Sequence, residues 1–379
     1  NAECDADGHK CTRIGPRLEP EAADTWVPQV LSDALFAFEG VNNSKGLAFL
    51  ITPDSPWFEH LKNEPDSLLR PYITGDDITS YALTRIGRWA LDIGDLSLVE
   101  IALRWPIAHG FLIEVVKPTR TTTSLKSYKG LIDQWWQFWR HRSSMMRRIR
   151  AQKMFIAYAK TTKFPVPILA SSDAIYTNNV VLLEFSRPDA LCICLSTAFR
   201  SWLTQFSGAS YGEIVKVSIS GAIETFPAPT THVSELGVIA AESFNSLTIE
   251  LSKGWNCGVT EVINALNAPS ENGQAVAELR RLMAVIDAEV VTAYGWSNAN
   301  IHYDFRELSG STNDSWRWAL SEDVTVDFLG RLTTLNRERF ESNGRNADDP
   351  LVLNKPKRGR RENASPAVAI RGLFDEVGE

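Results

Sequence analysis

The sequence lacks the short motifs on which several catalytic sites are built. Pro-Pro occurs nowhere, so there is no Asn/Asp/Ser-Pro-Pro-aromatic turn with which a transferase could hold an exocyclic amine and stack the flipped base. Gly-x-Gly and the P-loop are also missing, and with them the usual glycine-rich turn for S-adenosylmethionine or a nucleotide. The Glu-x-Lys of metal-dependent nucleases does not occur either. We therefore expect no catalytic and no cofactor-binding residues in this chain.

Long apolar runs and paired cysteines are missing as well. No run approaches the roughly 20 apolar residues of a membrane-spanning helix, and no charged-then-apolar leader opens the sequence, so we expect no membrane partner. The five cysteines have no second Cys or His pair at zinc spacing, so we predict no metal site. Cys192 and Cys194 lie in an apolar run that predicts a strand with both thiols buried and reduced, which favours the cytoplasm. Because the chain begins with Asn1 rather than Met, we expect a fragment or a processed product.

The charge of the chain is strongly segregated. The whole chain carries −7, but residues 115–163 hold twelve Lys and Arg residues against a single acid, Asp133. This segment therefore carries +11 and the rest of the chain −18. Such segregation is typical of a surface that meets a polyanion, although a solvated helix face would give the same pattern.

Length and residue pattern predict an α+β protein of more than one domain. At 379 residues the chain is too long for one ordinary domain. Residues 41–229 mix β-branched and aromatic runs with helical stretches, which predicts a mixed α/β domain, whereas residues 230–342 have the sustained periodicity of a helical domain. Residues 1–40 are interpreted as a lead-in that ends a preceding domain, and residues 343–379 as a polar, basic tail.

Individual elements follow from the same patterns. Strands are predicted at residues 88–93, 154–159, 180–185, 190–195 and 213–218. Helices are predicted at residues 127–140, 197–206, 232–253, 270–294 and 323–341, the last with Asn336 on its polar face.

Aromatic and basic residues are concentrated between positions 135 and 150. Trp135 and Trp139 lie four residues apart on the predicted helix, a spacing typical of a stripe that faces the core. The arginines have no acid nearby in the sequence, and the planar guanidinium donates paired hydrogen bonds to phosphates and to guanine. We predict that nine basic residues contact nucleic acid: Arg120, Lys126, Lys129, Arg140, Arg142, Arg147, Arg148, Arg150 and Lys153.

Several segments, taken in order, resemble the target-recognition region of MmeI-like type II restriction–modification DNA methyltransferases, which are adenine-specific. These are residues 69–78 (LRPYITGDDI), 135–150, 195–202 (LSTAFRSW) and 224–229 (ETFPAP). Residues 279–287, 293–296 (AYGW) and 329–339 are similar to the helical segment that follows this region in the family. The resemblance covers about residues 45–342.

The resemblance implies a division of labour. An upstream part binds S-adenosylmethionine and methylates the exocyclic amine of adenine, whereas this chain holds double-stranded DNA and reads its sequence. Its partners would then be double-stranded DNA and a methyltransferase catalytic domain or subunit; whether that part belongs to the same polypeptide stays open. If about six phosphates are neutralised, the logarithm of the binding constant should fall with the logarithm of salt concentration at a slope of about −5.

Two other functions are compatible with the sequence. An RNA-binding or scaffold module could use the same basic segment, and RNA readers usually stack bases on exposed aromatic rings. Exposure of Trp135, Trp136 and Trp139 on a sheet would favour that alternative. An active transferase with an unfamiliar site is the second, and tight binding of S-adenosylmethionine to this chain alone would favour it.

Overall fold

The α+β prediction is confirmed by the computed structural model of the chain, in which short strands and longer helices alternate. The structure describes residues 4–6, 9–11, 26–43, 47–79, 87–120, 129–184, 187–211, 214–307 and 316–343.

The strands form small sheets. Their bounds are β1 Cys4–Ala6, β2 His9–Cys11, β3 Ala37–Glu39, β4 Leu50–Ile51, β5 Leu69–Ile73, β6 Trp89–Leu91, β7 Met154–Ala159, β8 Thr161–Thr162, β9 Ile168–Ser171, β10 Ile175–Tyr176, β11 Val180–Leu183, β12 Gly208–Tyr211, β13 Ile214–Lys216, β14 Asp304–Glu307 and β15 Trp316–Ala319. Two sheets have four strands, in the orders β10-β5-β6-β4 and β3-β11-β7-β9. The second is antiparallel throughout, whereas β10 and β5 of the first are parallel.

The helices lengthen towards the end of the chain. Their bounds are α1 Phe58–Lys62, α2 Gly75–Thr79, α3 Leu98–Arg104, α4 Pro106–Phe111, α5 Lys117–Arg120, α6 Lys129–Asp133, α7 Ser143–Arg150, α8 Ala190–Leu195, α9 Thr197–Phe206, α10 Glu235–Trp255, α11 Val259–Asn267, α12 Gln274–Tyr294 and α13 Glu322–Ser342. π-helical turns occur at Leu112–Val116 and Ile219–Ile223. None of the helices in the described ranges is long and apolar enough to cross a bilayer.

Two apolar cores lie on opposite sides of strands β5 and β10. Tyr72 and Ile175 belong to the smaller core, whereas their chain neighbours Ile73 and Tyr176 belong to the larger one. Successive side chains of a strand point to opposite faces of the sheet, so the same two strands serve both cores. The backbone after strand β3 lies so close to strand β10 that position 40 requires glycine. A Cβ there would lie 2.1 Å from the carbonyl oxygen of Tyr176.

The larger core extends across residue 229, the predicted boundary between the mixed domain and the helical domain. It joins the antiparallel sheet to helices α8–α12, and Phe226 and Ala228 lie in it together with Val233 and Ala240. Apolar packing is therefore continuous across residue 229. Residue 229 therefore does not separate two apolar cores. The domain limits given above stay a prediction.

Two of the predicted elements are wrong. Residues 190–195 form helix α8 rather than a strand, and both Cys192 and Cys194 are free and fully buried there. Because every residue of α8 is buried, its sequence has no polar face, and a short apolar run of this kind is equally consistent with a strand or a helix. The predicted helix 127–140 is limited to Lys129–Asp133, because the backbone of Arg140 pairs instead with that of Asn42.

Candidate nucleic-acid interface

Helix α7 is the centre of the basic segment. Met146 and Ile149, three residues apart, are buried and attach one side of the helix to the protein. Arg147 and Arg148 lie on its exposed side. Arg142 precedes the helix in a left-handed conformation, with φ of 49°, and its carbonyl oxygen accepts from the backbone N–H groups of the first turn. The local sequence therefore presents arginines to solvent from a firmly anchored helix.

Acidic side chains from distant parts of the chain form ion pairs with Arg142, Arg148, Arg150 and Lys160 of this basic segment. Glu39 on strand β3 accepts from Arg142 Nη2 at 2.9 Å and from Lys160 Nζ at 2.5 Å. Burial acts to raise the pKa of Glu39, but its bonds and charge interactions with Lys160 and Arg142 outweigh burial and hold that pKa below its ordinary value. Glu39 is therefore ionised at neutral pH and offsets part of the positive charge.

Further acids hold α7 itself. Glu184 Oε2 lies 2.5 Å from Arg148 Nη2, and Asp92 forms an ion pair with Arg150. Burial raises the pKa of Asp92, although Arg150 and Arg70 act in the opposite direction. The prediction that nothing nearby neutralises the arginines is therefore wrong, because the acids come from strands and loops far away in the sequence. No local signal in the sequence shows Glu39, Asp92 or Glu184 to be partners.

Three of the residues predicted to contact nucleic acid have no acidic partner among the described residues. Arg140, Arg147 and Lys153 are exposed, and none of them forms an ion pair with a described residue. They follow one another along the chain, on both sides of α7 and on its outer face. An exposed cation without a carboxylate partner is the form in which Arg and Lys best bind phosphate.

The remaining predicted contacts are placed differently. The Arg120 side chain is fully buried, with its guanidinium carbon 5.1 Å from the centre of the Phe49 ring. None of its three guanidinium nitrogens has a hydrogen-bond partner within the described part of the chain. The DNA contact expected of Arg120 stays a prediction, and it would require the side chain to leave the core. Lys126 lies outside the described residues, and for Lys129 only the backbone, in helix α6, is described.

The tryptophans of the segment pack inward. Trp135 is buried in the smaller apolar core, as predicted, but it lies in a turn after α6 rather than on a helix, and its ring meets that of Trp136 edge to face. Trp136 is half-buried and donates its indole N–H to the carbonyl oxygen of Leu96, and Trp139 is half-buried as well. All three lie in turns rather than in a strand. This arrangement does not supply the exposed aromatic platform of a sheet-based RNA reader.

A separate cleft of about 540 Å³ lies between the segment 163–166, helix α9 and the last helices. Lys163, Arg200 and Arg317 are the charged residues among the described part of its wall.

Comparison with solved structures reveals an informative similarity of fold. No protein-family model matches the sequence, and no curated protein matches it significantly. A solved structure of the Type IIL restriction–modification enzyme MmeI in complex with DNA is similar to this chain, with a TM-score of 0.59 and 16% sequence identity. The match covers 88% of this chain and 39% of the MmeI chain, so this chain spans about two fifths of that protein. This chain thus has the fold of one part of MmeI.

Proposed function

We propose that this chain is the DNA target-recognition part of a restriction–modification enzyme and that its basic segment at α7 contacts the DNA backbone. The observation that carries the proposal is the fold shared with MmeI over nearly the whole chain, in a protein whose solved structure contains DNA. The unpaired cations Arg140, Arg147 and Lys153 support it independently, because they give the described surface a site for phosphates.

In this proposal the paired and the unpaired arginines act differently. An unpaired cation that meets a phosphate releases a counterion from the DNA, and each such contact contributes roughly −0.9 to the slope of log K against log salt. When Arg148 turns from Glu184 to a phosphate, the freed carboxylate recruits a cation and the net release is close to zero. Three unpaired cations therefore predict a slope of about −3, rather than the −5 expected from six contacts.

The test is a fluorescence-anisotropy titration of a labelled DNA duplex at several salt concentrations. Arg147→Ala should weaken binding and reduce the magnitude of the slope by about 0.9. Arg148→Ala should weaken binding while leaving the slope nearly unchanged, because that arginine is already paired. Arg281→Ala is the matched control, since Arg281 is an exposed, ion-paired arginine on α12, outside the basic segment. A slope near zero for the unmodified chain would refute the proposal.

We further propose, on the family resemblance, that the parent enzyme methylates adenine and takes its S-adenosylmethionine from a catalytic domain or subunit other than this chain. The missing Pro-Pro and Gly-x-Gly turns support this assignment. Calorimetric titration of the chain with S-adenosylmethionine tests it. We expect no binding heat from this chain alone, and tight binding would instead indicate an active transferase.

A further inference from the structure

A small antiparallel sheet continues the surface at α7. Its strands lie in the order β12-β13-β8, and β8 begins at Thr161, directly after Lys160. Lys160 and Arg142 bind the two oxygens of one carboxylate, that of Glu39, so the beginning of α7 and the beginning of β8 lie close together. The sheet is therefore next to the cations proposed to hold the DNA backbone.

One face of this sheet is anchored in the protein and the other is open. Burial alternates along β13, where Val215 is buried and Ile214 and Lys216 are exposed. Residues opposite each other in an antiparallel pair share a face, and Val215 lies opposite the buried Thr162. Lys216 lies opposite Thr161, which is exposed as well. Ile214, Lys216 and Thr161 therefore share the open face.

Lys216 is the cation of this open face. It forms no ion pair with any residue that the structure describes. Its opposite residue on β12 is Gly208, which has no side chain, and its opposite residue on β8 is Thr161. The strand is fixed directly after it, because the Val217 N–H donates to the carbonyl oxygen of Lys160 at 2.8 Å. Lys216 therefore projects from a fixed strand, with only a threonine and a glycine opposite it.

The side chains of the open face suit the edges of base pairs better than they suit phosphates. In the major groove guanine presents its N7 and O6 atoms as acceptors for lysine or arginine, and the methyl group of thymine is met by apolar atoms. A phosphate offers no apolar surface to Ile214, which is 39% exposed, whereas a thymine methyl does. The major groove is also wide enough to admit a two-stranded β-ribbon such as β12 and β13.

We propose that the open face of this sheet reads base edges in the major groove of duplex DNA. Lys216 selects guanine through its N7 and O6 atoms, and Ile214 and Thr161 contact the neighbouring bases. This assignment rests on the duplex contact proposed for α7. It gives the two surfaces different tasks, because phosphate contacts set the position of a protein on DNA and base contacts provide its sequence preference.

The test is selection of the full chain's binding sequence from a library of DNA duplexes with a randomised core, followed by sequencing of the bound fraction. We expect the unmodified chain to enrich one sequence. Lys216→Ala should reduce the preference for guanine at one position of that sequence by about 5- to 150-fold, the discrimination that a good pair of hydrogen bonds to one base provides. Lys216→Arg should keep this preference, because arginine binds the same two acceptors.

Two further variants separate base reading from backbone contact. Arg147→Ala should weaken binding to all duplexes and still enrich the same sequence, as a phosphate contact requires. Lys253 is an exposed lysine on α10 that belongs to neither surface, so Lys253→Ala should change neither affinity nor sequence.

The outcomes distinguish this proposal from the one on which it rests. If Lys216→Ala enriches the sequence of the unmodified chain with equal strength, base reading by Lys216 is overturned while duplex binding at α7 stands. Binding of duplexes without enrichment of any sequence by the unmodified chain would overturn base reading by the whole face. If the unmodified chain binds no duplex, both proposals are overturned.

Discussion

Replacing Arg120 with methionine should make the protein more stable. Arg120 is 0% exposed, and its three guanidinium nitrogens lack partners among the described residues. Burial lowers the pKa of this guanidinium, which shows that the site disfavours the charge. Methionine has a similar length, fills irregular apolar space and carries no polar group to leave unpaired.

The magnitude follows from two opposing terms. Each unpaired buried donor costs about 1–3 kcal/mol, whereas the contact of Arg120 with the Phe49 ring returns about 2 kcal/mol. Replacement of buried charges by apolar residues of similar volume is stabilising by about 1–4 kcal/mol in other proteins. We therefore expect Arg120→Met to raise the free energy of unfolding by an amount in that range.

Urea unfolding followed by circular dichroism measures this change as a shift of the midpoint at constant slope. Arg281→Met is the control, because that side chain is exposed and its loss should change the midpoint little. A lower midpoint for Arg120→Met would refute the reasoning, since it would mean that Arg120 has a stabilising acceptor in solution.

Three further predictions concern buried polar groups and close backbone contacts. Asn336→Ala should lower the free energy of unfolding by about 2–4 kcal/mol in urea, because the amide of this fully buried residue makes four hydrogen bonds, to Trp26, to the N–H and carbonyl of Gln29 and to Thr225. Gly40→Ala should lower it by about 1–3 kcal/mol in the same assay, since a Cβ meets the Tyr176 carbonyl. Burial acts to raise the pKa of Asp189, but Arg187 and the Val233 N–H outweigh it and lower that pKa, so the stability that Asp189 contributes is present above about pH 4 and lost on further acidification. Asp189→Asn should accordingly be less stable than the unmodified chain at pH 7, and this difference should shrink as a pH series of unfolding curves reaches pH 3.

Elements with one clear polar face and clear ends could be predicted from the sequence. Strand Met154–Ala159 and helix Thr197–Phe206 have the predicted bounds, and Ser196 caps the helix by accepting from the Phe199 N–H. Helix α10 begins at Glu235 rather than at the predicted residue 232, because the Val233 N–H is donated to Asp189. Local pattern therefore gives an element's type more reliably than an end fixed by a distant side chain.

Features that depend on distant residues could not be predicted. Asn336 was expected on a polar face but is fully buried, since its amide joins α13 to a segment more than 300 positions earlier in the chain. The pairing of Arg142 with Glu39 spans 103 positions. A count of charge along the sequence includes Arg142 in the basic segment but does not show that Glu39 neutralises it. For this reason the basic segment was identified from the sequence, whereas the division of its residues into paired and unpaired cations required the structure.

The central claim, duplex DNA recognition through the α7 surface, is tested most directly by competition. A labelled DNA duplex bound to the chain is displaced with unlabelled duplex DNA, duplex RNA and single-stranded DNA, in parallel for the unmodified chain and for a variant in which Arg140, Arg147 and Lys153 are replaced by alanine. We predict that duplex DNA competes best and that the triple variant binds it much more weakly. Equal competition by RNA or single strands, or unchanged binding by the triple variant, would contradict the account.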